Sequence, residues 1–140
     1  MNDRADLAVL AGFGGVHVGQ SDLFPDDARR VIGVEGWVGV SSHTDEQVCL
    51  AESSCADYVA VGPVFATGTK SDAAAVVGLE GVRRARALTS KPIVAIGGIT
   101  RENAGSVMDA GADSVAVISA LLTPEETVEK VAGDFLALLG

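Results

Sequence analysis

The chain has 140 residues, 19 acidic against 10 basic, and a formal net charge of −9. That length allows one domain with a real core, and an acidic surface without any basic run excludes nucleic acid as a partner, because phosphate contacts need clustered Lys and Arg. No apolar run approaches the roughly 20 residues of a membrane span, and 17 glycines with few aromatics fit tight strand–helix turns better than a β-sandwich.

Asn2-Asp3-Arg4 is polar and runs straight into a predicted helix over 4–11, so it reads as the end of a strand. Strands and helices then alternate. GVHV (15–18) is followed by a helix over 25–32 with Pro25 in its first turn. WVGVS (37–41) is followed by a helix over 45–52, with Thr44 as cap and Gln47 in a capping-box position. YVAVG (58–62) leads to a loop over 66–77, long for its kind, and then to a basic amphipathic helix over 79–88 carrying Arg83, Arg84 and Arg86. IVAIGG (93–98) precedes a helix over 101–110 capped by Thr100. SVAVIS (114–119) precedes a helix over 124–139, with Thr123 as cap, Pro124 at the first position and Glu126 completing a second capping box.

The five apolar runs are too short and too β-branched for helices and read as buried parallel strands with right-handed crossovers. An internal echo, Ala56-Asp57-Tyr58-Val59-Ala60-Val61 against Ala112-Asp113-Ser114-Val115-Ala116-Val117, supports a repeated unit in a single domain over 1–140. The sheet is either open and doubly wound or the back part of a TIM (β/α)8 barrel, and the opening residues favour the second. The expected fold is therefore α/β: a partial TIM barrel of about five βα units, corresponding to strands four to eight. Cys49 and Cys55 read as free thiols. The polar, acidic start of the chain is not a signal peptide, and the cytoplasm is the expected compartment.

In parallel α/β proteins ligands bind at the C-terminal strand ends, and the chemistry of this chain gathers there. Gly97-Gly98 sits between a strand and a helix, where a backbone can approach an anion closely. Ile118 and Ser119 end the next strand. Together these two strand ends resemble the phosphate site that barrels build after their last strands. Thr67-Gly68-Thr69-Lys70 offers two hydroxyls, a glycine and an ammonium to a phosphate or diphosphate. Asp3 and Asp22 follow neighbouring strand ends, a pair suited to Mg²⁺, which takes few carboxylates plus substrate phosphates. His17 lies inside an apolar strand and reads as a packed, hydrogen-bonded core group rather than a catalyst. His43, past a strand end, is open to either a ligand-facing or a structural role. There is no Ser/His/Asp order, no nucleophile elbow and no zinc spacing.

These motifs, in this order, resemble the thiamine-phosphate synthase family. The matching segments are NDR (2–4), GVHVGQSD (15–22), GVSSHT (39–44), ADYVAVGPVFATGTKSD (56–72), GLEGVRRA (78–85), PIVAIGGIT (92–100) and GADSVAVISAL (111–121). The resemblance implies a TIM barrel and a Mg²⁺-dependent transferase of thiamine biosynthesis. Such an enzyme joins hydroxymethylpyrimidine diphosphate to thiazole phosphate and releases pyrophosphate. It further implies that Asn2 and Ser41 contact the pyrimidine diphosphate and that Asp3 and Asp22 hold Mg²⁺. Thr67, Gly68 and Thr69, with Gly98, Ile118 and Ser119, would form the thiazole phosphate site. Lys70 would reach the diphosphate, with Lys70 and Ser41 as the catalytic candidates, and a homodimer is the implied assembly.

The chain departs from the family pattern in two places. The family's first three strands, with a basic Gln-x-Arg-x-Lys segment that grips the pyrimidine diphosphate, have no counterpart in it. The expectation is a fragment, a misplaced start codon or a truncated natural form, inactive if merely truncated, with two unpaired sheet edges that invite pairing with another chain. Phe13-Gly14 also replaces the usual Ala-Asp before the fourth strand. Two alternatives stand beside the synthase. One is a thiazole tautomerase, whose histidine is replaced here by Pro63. The other is a non-catalytic phosphate-binding half-barrel.

Overall fold

The structure, a computed structural model, describes residues 1–68 and 74–140. The five apolar runs form five strands: β1 (Gly15–Val18), β2 (Trp37–Ser42), β3 (Tyr58–Val61), β4 (Ile93–Ile96) and β5 (Ser114–Ala116). All neighbours pair in parallel, in the order β1-β2-β3-β4-β5. A doubly wound sheet would reverse its strand order at a switch point, and this one does not. Before β1, the backbone of residues 1–3 pairs in parallel with His17. The His17 N–H donates to the Met1 carbonyl at 2.9 Å, and the Asp3 N–H donates to the His17 carbonyl at 2.8 Å.

Among the described residues six helices fill the gaps: α1 (Ala5–Leu10), α2 (Pro25–Ile32), α3 (Asp45–Ser53), α4 (Gly78–Leu88), α5 (Arg101–Asp109) and α6 (Val128–Leu139). Side chains on a strand alternate between faces. On one face Val16, Val18, Val38, Val40, Val59, Val61, Ile93 and Ala95 are buried, together with α2, α4 and α5 residues such as Ala28, Val82 and Val107. The other face carries His17, Ser41, Tyr58, Val94, Ile96 and Ser114, which are half-buried or exposed.

The internal echo has a physical meaning. Asp57, just before β3, accepts from the Val38 N–H at 2.6 Å and from Arg29 of α2 at 2.6 Å. Asp113, just before β5, accepts from the Ile93 N–H at 2.7 Å and from Arg86 of α4 at 2.9 Å. In both copies the aspartate satisfies an N–H near the start of the neighbouring strand and the helix arginine neutralises it. The arginines also tie down turns that lead into the strands. Arg29 donates to the Gly36 and Cys55 carbonyls, and Arg86 to the Thr89 and Lys91 carbonyls. This device secures the N-terminal strand ends, away from the rim.

Three expectations are corrected. The last helix starts at Val128, not at Pro124, and its cap is Thr127, whose hydroxyl accepts from the Lys130 N–H at 3.3 Å. Glu126 cannot complete a box on Thr123 because its carboxylate is taken by Arg101 and Lys130. The last strand stops at Ala116, and Ser119–Leu121 forms a 3₁₀ turn. β5 is paired on one side only, so little holds the backbone extended beyond it. At α3 the Thr44 hydroxyl caps the Gln47 N–H as expected. The returning bond from the Gln47 side chain, however, goes to the His43 N–H, one residue early, at 2.6 Å. α5 carries the full box instead, with the Asn103 side chain accepting from the Thr100 N–H at 2.8 Å.

Candidate functional site

The strand registers place the described candidate residues along one end of the sheet. Ile96 of β4 pairs with Ala116 of β5, so Gly98 and Ser119 lie two and three residues past a matched pair. Gly97 and Gly98 have φ values of +96° and +64°, which favour glycine. A Cβ on Gly97 would meet Pro63 at 2.5 Å, because this turn is stitched to the segment after β3. Val64 N–H donates to the Ile96 carbonyl at 2.9 Å and Phe65 N–H to the Gly97 carbonyl at 3.0 Å. From the other side Asn103 of α5 donates to the Gly98 carbonyl at 3.1 Å. The turn is therefore held by two backbone bonds from the extension of β3 and by a helix-cap side chain. Ile118 and Ser119 are exposed beside it.

Thr67 and Gly68 continue from the stitched segment, and a Cβ on Gly68 would meet nothing within 4 Å. Thr69 and Lys70 lie outside the described residues.

At the other side of the rim, Asn2 and Asp3 take part in the short pairing with β1. Asp3 takes φ +61°, a left-handed conformation that non-glycine residues adopt rarely and often at functional positions. Its Oδ1 accepts from Asn2 Nδ2 at 2.6 Å. Asp22 closes the turn after β1, its Oδ2 accepting from the Gly19 N–H at 2.8 Å. Both carboxylates are exposed at the same end of neighbouring chain segments, each with its second oxygen outside these bonds. Among the described residues no group of three or more His, Cys, Asp or Glu side chains gathers to hold a metal.

Ser41 is held through both its carbonyl and its hydroxyl. Its carbonyl accepts from Gln20 Nε2 at 2.5 Å, and its hydroxyl lies 2.9 Å from His17 Nε2. His17 is thus hydrogen-bonded, as its place in an apolar strand implies. However, it stands on the face away from the helices, beside Ser41, and not in the core. The signal was strand parity: His17 pairs with Gly39, two residues from Ser41. His43 instead ties the end of β2 to that of β3 through the Gly62 carbonyl, at 2.5 Å. Both cysteines are free thiols, and no described helix is long and apolar enough to cross a membrane.

Comparisons with known proteins identify the family. A thiamine-phosphate synthase of Koribacter versatilis is 57% identical over 139 residues, 99% of this chain and 64% of the relative. One of Chloroflexus aurantiacus is 50% identical over 126 residues, 90% of this chain and 58% of the relative. The chain thus spans under two thirds of the length of these relatives. The solved thiamine phosphate pyrophosphorylase of Pyrococcus furiosus superposes with a TM-score of 0.82 at 34% identity, covering 99% of this chain and 67% of that one. The five-stranded parallel α/β sheet accordingly has TIM-barrel-like neighbours. The family model described as thiamine monophosphate synthase matches residues 1–121, which take in every strand and every candidate residue, and the chain belongs to that family.

Proposed function

We propose that this chain forms strands four to eight of a TIM barrel and carries the thiazole phosphate and metal-binding part of a thiamine-phosphate synthase. The reaction condenses hydroxymethylpyrimidine diphosphate with thiazole phosphate to give thiamine phosphate and pyrophosphate. The observation that carries the reading is the family match running through all five strand ends that form the rim.

Each group on the rim has a task in this reaction. The Gly97-Gly98 turn, with Thr67, Gly68, Thr69, Ile118 and Ser119, receives the thiazole phosphate on backbone N–H groups and hydroxyls. Lys70 places an ammonium against the diphosphate and stabilises the charge that develops as the C–O bond breaks. Asn2 and Ser41 orient the pyrimidine diphosphate. Asp3 and Asp22 fit Mg²⁺, since they offer hard oxygen donors in small number at the end where the phosphates would lie. Bound there, Mg²⁺ supplies further neutralisation of the leaving pyrophosphate. The aminopyrimidine supports a methylene cation, which the thiazole nitrogen captures, so the rim needs no strong general base. Its work is positioning two anions and keeping water away. A soluble cytoplasmic protein that pairs with a second copy fits this reading.

Calorimetric titration of the chain with thiazole phosphate tests it. One saturable site is expected, weakened about tenfold or more by Ser119→Ala together with Thr67→Ala, since hydrogen bonds to charged groups contribute roughly 1.5–3 kcal/mol. Lys70→Ala should leave that binding intact and weaken binding of Mg²⁺–pyrophosphate. No binding of thiazole phosphate by the wild-type chain would overturn the reading.

A further inference from the structure

Three residues from three strands form one hydrogen-bonded line across the face away from the helices. Tyr58 of β3 reaches over β2 so that its hydroxyl lies 3.0 Å from His17 Nδ1 on β1. The two rings stack at a centroid distance of 5.7 Å and an angle of 27°. On its other side, His17 Nε2 meets Ser41 Oγ at 2.9 Å. What permits the crossing is Gly39, paired with both His17 and Tyr58. A Cβ there would stand 2.0 Å from the Tyr58 ring. The lane for the tyrosine exists only because β2 carries hydrogen at that point.

We propose that Tyr58 and His17 are positioning residues that fix the direction of this line, so that Ser41 is presented to the ligand as a hydrogen-bond donor. A phenol donates more readily than it accepts, so the Tyr58 O–H goes to Nδ1. The imidazole must then carry its proton on Nε2 and donate it to Ser41 Oγ. With that lone pair occupied, the serine hydroxyl turns its own hydrogen outward, toward an anionic oxygen. Burial raises the Tyr58 hydroxyl above its ordinary titration range, which keeps it a donor over a wider span of pH. The inference rests on the proposed function for the identity of the anion, a diphosphate oxygen, and on the contacts and the phenol's donor character for the direction of the line.

The test has two independent arms. Long-range ¹H–¹⁵N correlation spectra of the 140-residue chain near pH 8, above the usual imidazole range of about 6.5, report the His17 tautomer. The Nε2–H form is expected in the wild type, with loss of that preference in Tyr58→Phe and in Gly39→Ala. An Nδ1–H wild type would overturn the proposal. The second arm is titration with Mg²⁺–pyrophosphate. Tyr58→Phe should bind about tenfold more weakly while its denaturant midpoint stays close to that of the wild type. Unchanged affinity in Tyr58→Phe alongside weaker binding in Ser41→Ala would also overturn it. A wild-type chain that shows the Nε2–H tautomer but binds neither pyrophosphate nor thiazole phosphate refutes the substrate reading and leaves the direction of the line standing. An Nδ1–H tautomer with intact binding of both refutes the line alone.

Discussion

A Cβ on Gly98 would lie 2.6 Å from the carbonyl oxygen of Ala66. The rim turn after β4 and the loop after β3 are thus in backbone contact, and neither can shift without the other. Gly98→Ala combines that clash with a φ of +64°, and should cost about 1–3 kcal/mol in urea unfolding and abolish thiazole phosphate binding. Gly105, inside α5 with nothing within 4 Å of a Cβ, provides the contrast. Gly105→Ala should stabilise the chain by about 0.4–1 kcal/mol and leave ligand binding unchanged. Equal midpoints for the two variants would contradict the packing described.

The two aspartate–arginine devices should differ in strength. The Arg29–Asp57 pair has side-chain exposures of 18% and 33%, against 31% and 54% for Arg86–Asp113. Solvent screens the second more strongly. Asp57→Ala leaves the Val38 N–H and a half-buried guanidinium without their acceptor, and should cost about 1–3 kcal/mol. Asp113→Ala should cost less. Double-mutant cycles with Arg29→Ala and Arg86→Ala measure the two couplings, and a larger coupling at Asp113 would reverse the ranking.

The docking of α6 onto α5 should be acid-sensitive. The Arg101 guanidinium, and after it Lys130, hold the Glu126 carboxyl at about 2, from an ordinary value of 4.5. Asp134 is lowered by Lys130 and then by Arg101. A carboxylate whose folded value is depressed contributes stability that is complete above its unfolded value and lost as pH falls toward the folded one. Protection of α6 amides from hydrogen exchange should therefore decline between about pH 4.5 and pH 2. Glu126→Gln should flatten that decline, and an unchanged acid profile in the variant would show that the ion pairs do not hold the helix.

Most of the fold was legible because short β-branched runs have few alternatives to buried strands. β1 and α2 fall on the residues their patterns mark. The start of α6 was not legible. Thr123, Pro124 and Glu126 make a good local start signal, but Arg101 lies more than twenty residues away and its claim on Glu126 leaves no trace in local spacing. The Asp57 and Asp113 echo was visible as a repeat, while its role depended on which strand lay alongside. At the rim, the glycine turn and the exposed serine could be read from strand ends. The line from Tyr58 through His17 to Ser41 needed the register of three strands, and Gly39 carried the clue as a glycine in the middle of a strand.

Amide chemical-shift mapping tests most directly whether one common rim receives the phosphorylated ligand. When ¹⁵N-labelled chain is titrated with thiazole phosphate, the largest shifts should fall on Thr67, Gly68, Gly97, Gly98 and Ser119, at the C-terminal strand ends. Shifts centred on the opposite strand ends, around Asp57 and Asp113, or no shifts at saturating ligand, would contradict it.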